Sequence, residues 1–217
     1  MAICWTLENG IGTITLDNPP ANILKMEFFS ELADHLEMAR CAPDLKAIIL
    51  TGRGRHFSSG ADVAELLEAS GPETMLRNYR ALAGMADLAV PVIAAIRGVC
   101  LGAAFELALH CHFRFGSADA VVGLPESNYN LMPGIGGLER MAGLTGKARA
   151  LELILRGSTM DARDAYERGL LDAIFPRQEL LPAAIAFALS LPHDINPGYR
   201  ELYLHKYLPK DQNIERT

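Results

Sequence analysis

The hydrophobic positions of the chain change between strict alternation and helical spacing. Residues 3–16 alternate on both sides of the Glu-Asn-Gly segment at 8–10, which predicts a β-hairpin with Asn-Gly in its turn. Over residues 25–40, apolar side chains recur at helical spacing with acidic residues between them, which predicts an amphipathic helix. Residues 47–51 form a short continuous apolar run, as expected of a strand that is covered on both faces. We then expect a loop over 52–60 and helices over 62–69 and 73–88.

A pattern of strand, turn and helix repeats through the rest of the chain. The expected elements are a strand at 90–96, a loop at 97–101, a helix at 102–110, short strands at 113–115 and 120–122, helices at 136–141, 147–155 and 161–168, a strand at 171–175, and helices at 179–191 and 199–208. Asp161 is suited to cap the helix that begins there. Strands that alternate with helices favour an α/β fold with parallel strands.

Composition narrows the class of protein. The chain has 217 residues, of which 50% are hydrophobic, enough to bury one substantial core. Its formal charge of −6 disfavours nucleic-acid binding, so an anionic ligand must be held locally by backbone N–H groups or a few cationic side chains. The most apolar stretch, residues 88–109, contains Arg97 and Glu106, which would be costly in lipid. We therefore expect a buried strand, loop and helix there and no membrane span.

The cysteines and the N-terminus favour a cytoplasmic protein. Cys4, Cys41, Cys100 and Cys111 are scattered and include no C-x-x-C pair, which is typical of reduced thiols. The first residues lack the basic and long apolar regions of a secretion signal.

Two similar turns stand where a strand is followed by a helix. Ser59-Gly60-Ala61-Asp62 is the first and Leu101-Gly102-Ala103-Ala104 the second. The first N–H groups of a helix lack intrahelical partners, so two such ends aimed at one point would bind a carbonyl oxygen as it becomes an enolate. The alternative is that Gly and Ala merely allow close packing of helix on sheet. Spacing alone favours that alternative, since such turns are common in α/β proteins.

Two carboxylates lie in apolar surroundings. Glu106 is one helical turn beyond Gly102, and Glu126 ends the run Val-Val-Gly-Leu-Pro at 121–125. Burial raises the pKa of a carboxyl group, so the two glutamates are candidates for general acid and base. Pairing with an arginine or capping of a helix remains the structural alternative for each.

Four short motifs occur in a fixed order along the chain. They are FSSGADV at 57–63, GVCLGAAFEL at 98–107, GLPE at 123–126 and MPGIGG at 132–137. Together they resemble the enoyl-CoA hydratase/isomerase, or crotonase, family. Segments at 161–165, 169–172 and 174–176 also look like the family, so the resemblance covers roughly residues 11–181.

The resemblance implies both a fold and a set of site residues. The fold would be a crotonase-like spiral of repeated β-β-α units over residues 1–178, followed by a short C-terminal helical segment at 179–217. Ala61 and Ala103 would supply the oxyanion-hole N–H groups. Glu106 would mainly activate water, and Glu126 would mainly handle the α-proton. The substrate-binding residues would be Ser59, Gly60, Ala61, Asp62, Val63, Gly102 and Ala103.

The implied reaction is addition of water across the double bond of a 2-enoyl-CoA. The partner would be the acyl-CoA thioester itself, with no separate cofactor and no metal, and the assembly a homo-trimer or hexamer. Two alternatives stay open: an enoyl-CoA isomerase, which needs only Glu126, and a catalytically silent acyl-CoA-binding protein.

Some residues depart from the family pattern or invite other readings. Ala103 replaces a usual glycine, although an alanine N–H still donates. Asn130 stands where glycine is common and is expected to add a hydrogen bond or to alter the acyl pocket. After Pro176 the chain is shorter than full-length relatives, whose further helices help to cover CoA and form trimer contacts.

His110-Cys111-His112 lacks a second cluster, so we expect local packing and no metal site. Arg53 and Arg55 would contact a CoA phosphate or lie in a solvated loop.

Overall fold

The structure, a computed structural model, describes residues 2–69 and 71–192. Its strands are β1 (Ala2–Glu8), β2 (Ile11–Asp17), β3 (Ala47–Gly52), β4 (Val92–Ile96), β5 (Val99–Leu101), β6 (Phe113–Ser117), β7 (Val121–Gly123), β8 (Thr159–Asp161) and β9 (Ala173–Phe175). Its α-helices are α1 (Phe28–Arg40), α2 (Val63–Ala69), α3 (Pro72–Ala86), α4 (Ala103–Leu109), α5 (Gly137–Thr145), α6 (Lys147–Arg156), α7 (Ala162–Glu167) and α8 (Leu180–Ser190), and a 3₁₀ helix spans Glu126–Tyr129. The helix expected at 199–208 lies outside the described residues.

The strands form two sheets. The larger has the order β1-β2-β3-β4-β6-β9, and all its pairs are parallel except the predicted β1–β2 hairpin. Every residue of β3 and β4 is buried, as expected of strands covered on both faces. The smaller sheet has the order β5-β7-β8, with β5 parallel and β8 antiparallel to β7. The expected α/β fold with parallel strands is confirmed.

The chain repeats one path between the two sheets. It runs from β4 in the larger sheet to β5 in the smaller sheet and then into α4, and β6 and β7 follow the same route. An earlier turn of the spiral leads from β3 through a single parallel bridge between Ser58 and Cys100 to α2. The repeat that the sequence suggested is therefore structural, and it places the two Gly-Ala turns side by side.

Short elements differ from the sequence-based expectations. Residues 97–101 were predicted to be a loop, but β5 lies within them and pairs with β7. The prediction of a loop was wrong because a three-residue strand has too little alternation to detect. The strand predicted at 171–175 begins only at Ala173. Asp172 precedes the strand and binds Arg114 instead: its carboxylate accepts hydrogen bonds from the Arg114 backbone N–H and guanidinium at 2.7 and 3.0 Å.

The core lies on both faces of the larger sheet. On one face, side chains of β2, β3 and β4 pack against α1, α3 and α4 in a single large cluster. On the other face, Ile49, Ile93 and Phe115 pack against Leu180 and Ala184 of α8. The predicted helix at 179–191 is thus confirmed and covers the sheet. The division into a core at 1–178 and a segment at 179–217 stays a prediction.

Two further expectations concern membranes and thiols. Over residues 2–69 and 71–192, every helix is too short or too polar to cross a bilayer. The four cysteines are all unpaired thiols.

Candidate active site

One cavity collects most of the residues that the sequence singled out. It has a volume of about 180 Å³ and is lined by both Gly-Ala turns. Its polar side chains include Glu106, Glu126 and Asn78. The main apolar side chains are Phe29, Val63, Met75, Leu101, Met132 and Ile135. Val63 and Met132 are exposed at its rim, so the cavity opens to solvent.

The two alanines of the turns present unused backbone N–H groups to the cavity. Ala61 pairs with Leu24 through its two neighbours in the chain, since Gly60 O accepts from Leu24 N–H and Asp62 N–H donates to Leu24 O. Ala103 is the first residue of α4. Within the described part of the chain, neither alanine N–H has a hydrogen-bond partner. Two neighbouring donors of this kind can stabilise an oxygen that becomes negatively charged.

A glycine in each turn lets the two turns lie close to each other and to a carboxylate. Gly102 has φ of 55°, a conformation that L side chains rarely adopt. A Cβ atom at Gly102 would lie 3.2 Å from Glu126 Oε1. A Cβ atom at Gly60 would lie 2.6 Å from Leu101 O and 3.6 Å from Ala103 N. The two turns and the Glu126 carboxylate are therefore in close contact.

Glu106 is held by a loop that is distant in sequence. Its side chain projects from α4, the residue is 2% exposed, and Oε1 accepts hydrogen bonds from Ile135 N–H at 3.0 Å and Gly137 N–H at 2.8 Å. Burial, and then the nearby charge of Glu126, raises the pKa of Glu106 to about 8, although the backbone donors act in the opposite direction. Near neutral pH this carboxyl group can therefore gain or lose a proton.

Glu126 begins the 3₁₀ helix, and its carboxylate lies beside Gly102. Its Oε2 is buried and has no hydrogen-bond partner among residues 2–69 and 71–192. Burial raises the pKa of Glu126 to about 7. The two carboxyl groups titrate close together, so around neutrality they share one negative charge.

The structural alternatives for the glutamates are not seen. Within the described residues, neither Glu106 nor Glu126 forms an ion pair with an arginine. Glu106 also does not cap its own helix, since its carboxylate binds the loop at 135–137. Both carboxyl groups face the cavity.

His110 is a neighbour of the site that sequence analysis assigned to local packing. It lies one turn after Glu106, and its Nε2–H donates to Ile135 O at 3.0 Å. Burial, and then Arg140, lowers the pKa of His110 to about 3, so the imidazole is neutral. Glu106 and His110 thus bind the same loop from one face of α4. The other histidine of the motif, His112, accepts a hydrogen bond from Val92 N–H at 2.9 Å.

The remaining predicted substrate-binding residues divide into two groups. Ser59, Gly60, Val63 and Gly102 line the cavity. The carboxylate of Asp62 instead accepts hydrogen bonds from Ala64 and Glu65 N–H at 3.0 and 3.3 Å, at the start of α2. A role for Asp62 in substrate binding stays a prediction.

Asn130, which departs from the family pattern, has a local explanation. Asn130 has φ of 57° at the end of the 3₁₀ helix, a conformation that favours glycine and that asparagine also tolerates. Asn130 is exposed, and its side chain is not part of the cavity wall. Arg53 binds Asp17 Oδ2 at 2.7 Å across the surface.

Comparison with known proteins shows the family to which the chain is similar. The model of the enoyl-CoA hydratase/isomerase family matches residues 6–205. A probable enoyl-CoA hydratase of Bacillus subtilis is 36% identical over 173 residues, which is 78% of this chain and 67% of that protein. The glyoxysomal fatty acid beta-oxidation multifunctional protein MFP-a of Cucumis sativus is 34% identical over 202 residues, which is 90% of this chain but only 28% of that protein.

A solved structure gives the same result for the fold. The enoyl-CoA hydratase of Bacillus anthracis superposes with a TM-score of 0.86 at 30% identity, covering 95% of this chain and 82% of that one. The expected crotonase fold is therefore confirmed. With the family match over most of its length, the chain belongs to the enoyl-CoA hydratase/isomerase family.

Proposed function

We propose that this protein is an enoyl-CoA hydratase that adds water across the double bond of a 2-enoyl-CoA. The observation that carries the proposal is the pair of glutamates, whose pKa values are raised to about 8 and about 7, beside two unused N–H groups in one cavity. Hydration needs a base for water, an acid for the α-carbon and donors for the enolate oxygen. All three requirements have a candidate here.

The thioester oxygen binds the N–H groups of Ala61 and Ala103. Attack at the acyl β-carbon moves the double-bond electrons onto that oxygen, which becomes an enolate. Donors fixed by the backbone need little rearrangement as this charge develops, so they stabilise the transition state more than the ground state. The family membership and the two unpaired amides support this assignment.

The two glutamates divide the proton transfers. Glu106 removes a proton from water as the oxygen–carbon bond forms. Glu126 then gives a proton to the α-carbon as the enolate returns its electrons. The cycle closes when the proton on Glu106 passes back to Glu126 through solvent or directly.

For this order of transfers, Glu106 must be ionised and Glu126 must carry the shared proton before water attacks. In the free protein the higher pKa, about 8, belongs to Glu106. The pKa values of the two groups lie close together, so the proton can move to Glu126 at little cost in free energy. A bound acyl chain would also exclude water from Glu126 and raise its pKa further. Both protonation states are therefore within reach at neutral pH.

Two measurements test the proposal against its alternatives. Short and medium 2-enoyl-CoAs are incubated with the protein, and loss of the conjugated thioester absorbance is followed. We expect Glu106→Gln to lower the hydration rate about 100-fold or more, since it removes the base for water. Should Glu106→Gln instead retain full conversion of 3-enoyl-CoA to 2-enoyl-CoA while the wild type never hydrates, the isomerase alternative is correct. Binding of acyl-CoA without any turnover would identify a silent binding protein.

The other expectations stay predictions. The substrate would be an acyl-CoA thioester with no separate cofactor or metal, and the assembly a homo-trimer or hexamer. A cytoplasmic location, without nucleic-acid or membrane partners, is likewise predicted only.

A further inference from the structure

Asn78 is a buried polar residue in the cavity that the proposed reaction does not use. It lies in the middle of α3 and is 1% exposed. It contributes to the cavity wall, and its Oδ1 has no hydrogen-bond partner in the part of the chain that the structure describes. A buried amide oxygen without a partner is uncommon and needs an explanation.

Contacts of α3 place Asn78 on the side of the cavity near Glu106. Met75, one turn before Asn78, packs closely on Gly134. A Cβ atom at residue 134 would overlap the methyl group of Met75. Tyr79, the next residue, lies 3.0 Å from where a Cβ atom of Gly136 would be. Gly134 precedes, and Gly136 belongs to, the loop at 135–137 that binds the Glu106 carboxylate. In the proposed reaction Glu106 holds the water beside the β-carbon, so a side chain on this side of the cavity is placed for the acyl chain at that carbon and beyond it.

The surroundings of Asn78 make an unpaired amide oxygen costly. The neighbouring wall is apolar, with Phe29, Met75 and Ile135 lining the cavity. Oδ1 is buried and, among the residues that the structure describes, unsatisfied in the free protein. A plain alkyl chain that fills the cavity leaves it so, whereas a ligand group that donates a hydrogen bond satisfies it, which favours the second ligand.

The chemistry of the ligand group follows from the acceptor and from the site charge. An amide oxygen only accepts, so its partner must carry a proton; carbonyl and carboxylate groups do not. A carboxylate on the acyl chain would also be repelled by Glu106 and Glu126. A hydroxyl group is neutral, small and able to donate, so it satisfies each condition.

On the basis of the proposed function, we propose that Asn78 Oδ1 accepts a hydrogen bond from a hydroxyl group on the acyl chain, so that the cavity prefers hydroxylated acyl-CoAs to plain alkyl ones. The hydroxyl lies beyond the β-carbon, on the part of the chain that faces α3. Asn78 is thus a specificity residue for the acyl group and takes no part in the proton transfers.

Binding of unreactive ligands tests this preference without requiring turnover. Saturated acyl-CoAs of equal length, with and without a hydroxyl group at successive positions beyond the β-carbon, are titrated calorimetrically into the wild-type protein. We expect about tenfold or tighter binding for at least one hydroxylated ligand, since a site with an unpaired polar group rejects the analogue that lacks the donor. Equal or weaker binding of every hydroxylated ligand overturns the proposal, whatever happens with any variant.

Two variants assign the preference to Asn78. Asn78→Leu should reduce the ratio of the two affinities to about one, by weakening the hydroxylated ligand and strengthening the alkyl one. Leu82→Met, one turn away on the same helix, buried and outside the cavity wall, should leave the ratio unchanged. If Leu82→Met abolishes the ratio as well, or if Asn78→Leu weakens both ligands equally, the preference comes from the packing of α3 and the proposal fails. Circular dichroism checks that both variants fold. If Asn78→Leu does not fold, the ratio of the wild-type affinities for hydroxylated and plain ligands alone decides whether the preference exists.

The outcome is separable from that of the proposed function. A preference for hydroxylated ligands without any hydration would contradict the hydratase and leave the role of Asn78 intact. Hydration without that preference would support the hydratase and contradict the role of Asn78.

Discussion

The position of the Glu106 carboxylate, the proposed base, depends on a neighbour that has no side chain. Glu106 Oε1 approaches Gly137 N to 2.8 Å. A Cβ atom at residue 137 would lie 2.8 Å from the same oxygen and 2.7 Å from Glu106 Cγ. These separations are shorter than van der Waals contact, so only glycine leaves the carboxylate where it can reach both the loop and the cavity.

Gly137→Ala should therefore displace Glu106 and lower kcat/KM for hydration by at least about tenfold, because small misplacements of a catalytic group are costly. Gly143→Ala is the matched control, since Gly143 lies in the same helix and a Cβ atom there meets nothing within 4 Å. The control should retain activity and gain up to about 1 kcal/mol of stability from its better helix propensity. Steady-state kinetics and thermal melts measure both effects. Equal activity in the two variants would show that Gly137 does not position the carboxylate.

At the scale of elements, α4 binds the loop at 135–137 in two ways. Glu106 accepts hydrogen bonds from two N–H groups of the loop, and His110 donates to Ile135 O. The His110 ring also packs edge-on against Tyr79 of α3, with ring centroids 5.8 Å apart. One short helix thus orients the carboxylate of Glu106, the proposed base, by fixing the loop that binds it.

His110→Phe should keep the ring packing but lose the hydrogen bond to Ile135. A loosened loop donates less well to Glu106, so the pKa of Glu106 should rise and the alkaline limb of the kcat/KM profile should move to higher pH. We expect kcat to fall about tenfold because the carboxylate is less well placed. His110 itself is neutral, with its pKa lowered to about 3, so its own titration does not enter above pH 5 or so. A variant with lower stability but an unchanged pH profile would show that His110 is structural only.

Elements and site residues differ in how far the sequence alone predicts them. The amphipathic α1 and α3 and the apolar β3 and β4 follow local periodicity, so their bounds were predicted to within a few residues. The three-residue strands β5 and β8 depend on pairing with β7, which local pattern does not reveal. Glu106 and Glu126 stood out as acids in apolar runs. The loop that holds Glu106 lies 29 and 31 residues away in sequence, so the roles of His110 and Gly137 appear only in the folded chain.

At the scale of the whole molecule, the buried carboxyl pair makes stability depend on pH. In the unfolded chain Glu106 loses its proton near its ordinary pKa of 4.5, whereas burial in the folded protein raises that pKa to about 8. Between these values the folded state binds more protons than the unfolded state. Stability therefore decreases as pH rises through this interval, and is greatest, as far as this group is concerned, below pH 4.5.

Glu106→Gln removes the part of this dependence that comes from Glu106, while Glu126, whose pKa burial raises to about 7, keeps its own part. A shift of one pKa unit corresponds to about 1.4 kcal/mol, so the variant should gain several kcal/mol relative to the wild type between pH 5 and pH 9, to order of magnitude. Denaturant unfolding across this range measures the difference in free energy of unfolding. A difference that is constant with pH would mean that Glu106 ionises in the folded protein as it does in the unfolded chain.

Following the oxygen atom tests whether Glu106 and Glu126 together add water to a 2-enoyl-CoA. Wild type, Glu106→Gln and Glu126→Gln are incubated with 2-enoyl-CoA in heavy-oxygen water, and the products are analysed by mass spectrometry. We expect 3-hydroxyacyl-CoA with the label in its 3-hydroxyl oxygen for the wild type, and about 100-fold less of it for each variant in the same time. Unreacted substrate with folded wild type, or as much labelled product from either variant as from the wild type, would contradict the proposed roles of the two glutamates.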